Sequence, residues 1–412
     1  MSFSLIELSE ITMVVTTETS TSANVDFSQS ASNVPENCII LGMNTTVPWN
    51  NPNNLISLEA EFLFDRIKAT VLIPVLFLIG FPANCINMAV FFKQGLKERI
   101  NLCLFSLALV DLLDLTIIFA FQADKLYTFT SNERIGPVYR YVVNNNLIGL
   151  YGFLYGPMFL SVIISTERCI CVLFPLTAQR CIPTKAIACL IVVGVSVLAF
   201  TRFAVTAIYQ VTCFYEMRTQ RFSWQPYFND YYFRHKAMID ALNSVFYGFL
   251  VTIGCPIIVL ITTIITSVRL THVARWRSQT SSSLSSKEIG VTKMLIALSI
   301  EFFVLSIPVI AVRILPLFEP RLGAGREFAN SFKLLLGLSL VFSNMSSAVN
   351  LFVYYYTGSK FRKTLQGLIY WKTSPRGTKR NQSGSLATVT NSLTVADPAT
   401  SSSIGNQEEV PV

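Results

Sequence analysis

The apolar run Val142 to Thr166 leads directly into an adjacent acid and base, Glu167 and Arg168. A charged pair at the end of a membrane-length helix is costly anywhere except an interface or a protein-lined cavity. Its chemistry is ion pairing that can be exchanged between partners. The plainer alternative is an arginine reaching out to lipid headgroups. Three further acids, Asp111, Asp114 and Glu301, fall inside apolar runs, where a carboxyl needs polar company. Asn84, Ser346 and Asn350 could provide it for Asp111. Asp114 follows Asp111 by one helical turn on the same face, so at most one of the two is expected to be charged. Glu301 has no role from sequence. Nothing here makes or breaks bonds: there is no nucleophile elbow, no His/Glu zinc spacing, and His235 and His272 are the only histidines. The nine cysteines have no metal-ligand spacing either.

The elements that must position these residues follow from composition. The 412 residues are 52% hydrophobic and 14% charged, with a mean hydropathy of +0.50, outside the soluble globular range. Charges are segregated. The first 65 residues carry eight acids and no Lys or Arg, so the net charge of +8 comes from later loops and the tail. Basic residues flank apolar spans instead of forming a domain, which speaks for membrane topology and against nucleic acid.

Residues 1–65 are rich in Ser, Thr and Asn and are expected to be a disordered tail, with no cleaved signal peptide and an acceptor sequon at Asn44. Ala69 to Phe92 holds 24 uncharged residues, enough to cross about 30 Å of hydrocarbon at about 1.5 Å per residue. Leu102–Ala123, the Val142–Thr166 run, Ala186–Ile208, Ala237–Val268, Met294–Val312 and Leu334–Thr357 supply six more. Basic clusters follow the first, third, fifth and seventh spans, which predicts an N-terminus outside and a C-terminus in the cytosol. Residues 359–371 place Phe361, Leu365, Leu368 and Ile369 on one face, the pattern of an amphipathic helix lying in the interface plane. Residues 372–412 are polar, Ser/Thr-rich and expected to be disordered. The fold class is therefore an all-α membrane protein: a seven-transmembrane helix bundle over residues 66–371, with a cytoplasmic amphipathic eighth helix.

Glu167-Arg168-Cys169 with Val172, Pro175 and Leu176 resembles the third-span signature of rhodopsin-like (class A) G-protein-coupled receptors, usually Asp-Arg-Tyr with the same downstream spacing. Gly80 to Asn84, Leu107 to Asp111, Pro256, Phe302 six residues before Pro308, and Asn350-Leu351-Phe352-Val353-Tyr354 resemble the family's other signatures, in the same order. The resemblance covers roughly Arg66 to Trp371. It implies a water-filled pocket around Asn84, Asp111, Ser346 and Asn350 with room for a sodium ion, the one cofactor in view. It also implies that Arg168 pairs with Glu167 and with Glu288, and that breaking the Arg168–Glu288 pair lets span six swing outward on the lever of Phe302 and Pro308. That motion would open a cavity for a heterotrimeric G protein, with Leu176 projecting towards it and Tyr354 closing span seven. Plasma-membrane location and tail contacts with kinases and arrestin follow from the same resemblance, as does contact with membrane lipid.

The sequence departs from the family in several places. No Cys lies near the outer end of span three to meet Cys213 in the second outer loop; Cys38 is the remaining cysteine well outside the membrane, so a Cys38–Cys213 disulfide is expected. Ser306 stands where a Trp is usual, and Leu351 where a Pro is usual. Asn344 replaces the retinal lysine of an opsin, and Leu150 replaces the acid of an aminergic receptor. Arg140, Arg202, Arg313 and Lys333, with nearby tyrosines, form a basic mouth that suits a carboxylate, a small acidic molecule or a peptide; interfacial belts of Arg and aromatics are the bland alternative. These departures look like the invertebrate, notably gastropod, chemosensory-receptor-like branch, with peptide receptors next. A seven-helix transporter or channel using the intramembrane acids remains the other function class.

Overall fold

The computed structural model describes residues 38–41, 51–130, 136–174, 183–216, 221–279, 286–323 and 326–373. Asn44, Pro175 and Leu176 lie outside the described residues, as do 1–37 and the tail from residue 374. Among the described residues, seven helices are long and apolar enough to cross a membrane: Leu58–Gln94, Arg99–Lys125, Leu147–Leu173, Thr184–Thr206, Asp230–Val273, Gly290–Phe318 and Ala329–Thr357. These are spans one to seven. Helices are the natural outcome, because each one satisfies its own backbone polar groups where no water can. A further helix, Ser359–Thr373, follows span seven and buries Phe361.

Two boundaries differ from expectation. Span one begins at Leu58, within the stretch expected to be disordered, and Cys38–Leu41 is a strand, β1. Ser57 caps the helix, accepting from Ala60 N at 3.2 Å, and Glu59 and Glu61 lie in the first turn, where the helix dipole favours acids. Those acids made the stretch look like tail. Span three is also not one helix from Val142. A short helix, Pro137–Asn144, comes first; Asn146 then turns at a positive φ of 55°, and Leu147–Tyr155 is a 3-10 helix before Gly156–Leu173 continues as α-helix. Close packing on span four accompanies this tighter coil: a Cβ on Gly152 would sit 2.6 Å from Ala199 Cα and 2.8 Å from the Leu198 carbonyl oxygen.

One face of the bundle carries a three-stranded sheet. β2 (Tyr209–Glu216) and β3 (Arg221–Phe228) form an antiparallel hairpin between spans four and five, and β1 pairs parallel with β2. In that register Cys38 faces Cys213, and the two form a disulfide with Cα atoms 4.5 Å apart. The chain from β1 to span one is tied down again at span seven, where Asn330 donates from its backbone to Asn54 Oδ1 and from its side chain to the Ile56 carbonyl, at 3.0 and 3.1 Å. On the same face Asp65 accepts from Lys68 at 2.5 Å and from Lys125 at 2.6 and 2.8 Å, joining spans one and two.

The apolar interior falls into two clusters. The sheet-side cluster includes Ile73, Ile118, Tyr151, Phe302 and Leu340; the opposite cluster includes Val90, Val110, Leu298, Tyr354 and Phe361. Seven of the polar residues singled out inside the spans fall along their helices between the residues of the two clusters: Asn84 in span one, Asp111 and Asp114 in span two, Glu301 in span six, and Asn344, Ser346 and Asn350 in span seven. The fold therefore holds a polar layer at mid-bundle, sandwiched between two greasy halves.

Candidate functional site

In that layer Asp111 is 1% exposed and accepts two hydrogen bonds from span seven, from Ser347 Oγ at 2.7 Å and Asn350 Nδ2 at 2.8 Å. Asn84 Nδ2 donates to the Ser347 carbonyl at 2.8 Å and to the Gly80 carbonyl at 3.1 Å, so three spans meet at Ser347. This corrects the expectation for Ser346. One residue along an α-helix turns the side chain by about 100°, and that rotation gives Ser347 to Asp111 while Ser346 approaches Glu301 of span six. Neither carboxylate oxygen of Glu301 completes a hydrogen bond, and the same is true of Asp114, which is 1% exposed.

At the end of span three, the Glu167 side chain is 3% exposed and shared by two arginines. Arg168 Nε donates to Oε2 at 2.6 Å, and Arg99 Nε, from the start of span two, lies 3.5 Å from Oε1. The Cys171 thiol donates to the same Oε1 at 3.3 Å. A carboxylate this enclosed stays put because cations and a thiol surround it. Glu288 falls in the helical stretch Ser286–Phe318, but its side chain lies outside what is described. At the end of span seven, Tyr354 is buried edge-on against Phe91, with ring centroids 5.2 Å apart, and 5.4 Å from Phe361. A Cβ on Gly358 would meet Met294 Sδ of span six at 2.6 Å, so the junction of span seven and the Ser359–Thr373 helix packs directly on span six. Pro308 lies within span six, seven residues beyond Glu301, and Phe302 is buried in the sheet-side core.

Residues 84–354 match the family described as 7 transmembrane receptor (rhodopsin family). The chain belongs to that family. Among curated proteins none matches the chain. The matched segment runs from Asn84 to Tyr354, from the polar layer of span one to the aromatic end of span seven.

In this receptor the basic residues near the sheet are not one open rim, as the sequence suggested. Arg202 of span four is 1% exposed; it donates to Asn243 Oδ1 at 2.9 Å and lies 5.2 Å from the centroid of the Tyr247 ring, both on span five. An arginine at a span end reads as interfacial in one dimension, but here spans four and five close over it. Arg313 of span six bonds to Tyr155 of span three and feels the charge of Arg202. Arg140 is half-buried on the Pro137–Asn144 helix, and Lys333 faces Glu61 across spans seven and one. At the start of β2, burial pushes the Tyr209 phenol pKa above its ordinary value.

Three features escaped the sequence reading. Arg99 belongs to the basic cluster after the first span, and nothing local links it to a carboxylate 68 positions away. Cys171 has no signal in a cysteine set without metal-ligand spacing. The Asp65–Lys68–Lys125 cluster had one visible signal, the i, i+3 spacing of Asp65 and Lys68.

Proposed function

We propose that this receptor carries an external signal to heterotrimeric G proteins through release of Arg168 at the end of span three. The observation that carries the reading is the Glu167 carboxylate, held under two arginines and a thiol where spans two and three meet. A guanidinium bound to its neighbour is withheld from other partners, and an outward swing of span six on Pro308 would change which partners it has. Glu288, at the start of that helix, is the second restraint. In this reading Leu176 and Pro175 meet the G protein, and Tyr354 moves with span seven.

The N-terminus and the sheet face the exterior, Asn44 is a glycosylation site, and the molecule works in the plasma membrane. The Asp111 layer takes a sodium ion in the resting state, with Ser347 and Asn350 beside it. Kinases and arrestin act on the tail. The ligand is of chemosensory or peptide type, met by the basic, tyrosine-rich face. The distribution of acids and bases along the chain supports this orientation, as does a disulfide that suits an oxidising compartment.

The test needs no ligand. Basal nucleotide exchange on G protein is compared in membranes for wild type, Glu288→Ala and Arg168→Ala at equal surface levels. The first variant should exceed wild type and the second should fall below it. Three indistinguishable rates would remove the switch assignment.

A further inference from the structure

Between spans five and six, on the sheet-bearing face, lies a cavity of about 320 Å³, at the lower end of the roughly 300–1,000 Å³ usual for ligand pockets. Its polar lining is Arg313, Arg326 and Ser244, which is two cations with no acid among the lining residues. Most of the rest is apolar, including Phe249, Ile253 and Leu317. Phe249 and Leu317 are 60% and 76% exposed on the outside of the bundle, the surface that hydrocarbon covers in a membrane-spanning chain, so the cavity opens sideways into lipid. On its inner side Arg313 bonds to Tyr155 and stands within electrostatic reach of the buried Arg202. Arg326, on the loop after span six, is exposed and donates to the Pro320 carbonyl at 2.5 Å.

We propose that this cavity binds a carboxylate-bearing amphiphile that enters from the bilayer, its head on Arg313 and Arg326 and its tail along Phe249, Ile253 and Leu317. The charge is what selects the ligand. Two guanidinium groups at a hydrocarbon-facing cavity favour an anion strongly, and a planar carboxylate matches their geometry. The apolar walls favour a chain attached to it. Arg313 lies on span six, five residues beyond Pro308, so an anion that offsets its repulsion with Arg202 of span four acts on the element that the proposed switch uses. The inference deepens the proposed ligand side of the receptor and rests on that reading for its physiological meaning, although binding itself does not.

The experiment uses the full chain in nanodiscs of neutral phosphatidylcholine, with decanoate, decanol and acetate as probes and thermal unfolding as the binding readout. Decanoate should raise the midpoint saturably, while decanol and acetate at equal concentration should not. Arg313→Gln and Arg326→Gln should each weaken decanoate by about tenfold or more. The second change lies on an exposed loop residue, so it keeps the test decisive if the first variant unfolds. Equal stabilisation by decanol, or unchanged affinity in Arg326→Gln together with any folded Arg313→Gln, overturns the site. So does loss of the decanoate effect in phosphatidylglycerol nanodiscs, which would make the occupant a lipid headgroup. Saturable, arginine-dependent binding supports the site whatever nucleotide exchange does; exchange that no probe or switch variant alters counts against the G-protein reading alone.

Discussion

Glu167→Gln is the most informative single change. The short contact to Arg168, 2.6 Å with the acid 3% and the base 18% exposed, is a charge-assisted hydrogen bond. Such bonds contribute about 1.5–3 kcal/mol. Arg99, at 3.5 Å, lies beyond good hydrogen-bond geometry and adds only about 0–1 kcal/mol. If the bond exists in the resting state alone, its loss shifts the resting-to-active equilibrium by about 10- to 100-fold, since about 1.4 kcal/mol is a factor of ten. A receptor active about 1% of the time would then be active roughly 10–50% of the time. Glutamine keeps the shape and can still accept from Cys171, so packing is nearly unchanged. Basal nucleotide exchange per surface receptor is the assay, with Arg99→Gln as the control, expected to rise no more than about fivefold. Exchange at the wild-type rate in Glu167→Gln, with normal surface level, would refute the argument. A larger rise in Arg99→Gln would show that the wrong partner had been weighted.

Asp65→Asn leaves Lys68 and Lys125 facing each other and should cost about 2–3 kcal/mol, below the roughly 3–5 kcal/mol of a fully buried pair because the side chains are 8–23% exposed; Lys68→Met should cost less, and thermal unfolding separates them. Cys38→Ser and Cys213→Ser should each lower stability by about 3 kcal/mol, and the double variant by no more. The relevant loop is the short stretch from Cys38 to Leu58, because the bilayer already constrains the rest of the 175-residue separation. Gly152→Val should cost about 1–3 kcal/mol by pushing spans three and four apart, whereas Gly367→Ala, with open space around it, should be neutral or stabilising. Asp111→Asn should abolish any dependence of basal exchange on sodium; Ser347 can still donate to the remaining carbonyl oxygen, while the Asn350 amide must turn over to accept from the new NH2, so the unfolding midpoint should fall by no more than about one lost hydrogen bond, about 0.5–1.5 kcal/mol.

How much of this was legible in the sequence depends on whether a feature is one-dimensional. Span number and order follow from apolar runs, and membership of the rhodopsin family from motifs spaced along single helices. Asp111 and Asn350 were legible as a polar pair because a buried carboxyl must find donors and few amides are available. Ser347 was not, because choosing between adjacent serines requires the rotation of span seven about its axis, which its neighbours set. The start of span one was hidden because acids that stabilise a helix N-terminus have the composition of a disordered tail. Arg202 could not be distinguished from an interfacial arginine, since burial there is made by Asn243 and Tyr247 from another span.

The break in span three and the position of the disulfide are two sides of one arrangement. A cysteine at the sheet-side end of span three would fix the β2–β3 hairpin to that helix, and this receptor has none. Noncovalent ties hold the sheet-side end instead. Asp124 of span two accepts from the backbone of Val138 and Tyr139 at 3.1 Å each, capping the Pro137–Asn144 helix. Asn146 donates to the Phe203 carbonyl at 3.1 Å and accepts from Thr206 at 3.0 Å, which fixes the left-handed turn on span four. Hydrogen bonds of this kind contribute about 0.5–1.5 kcal/mol each and tolerate a change of backbone type; a disulfide at the same point would constrain it. The covalent anchor has moved to β1, and through it to span one, which Asn330 and the Asp65 cluster bind to spans seven and two. The sheet is therefore joined through the chain to spans four and five and through the disulfide and β1 to span one, whose partners, spans two and seven, also hold Asp111, Ser347 and Asn350.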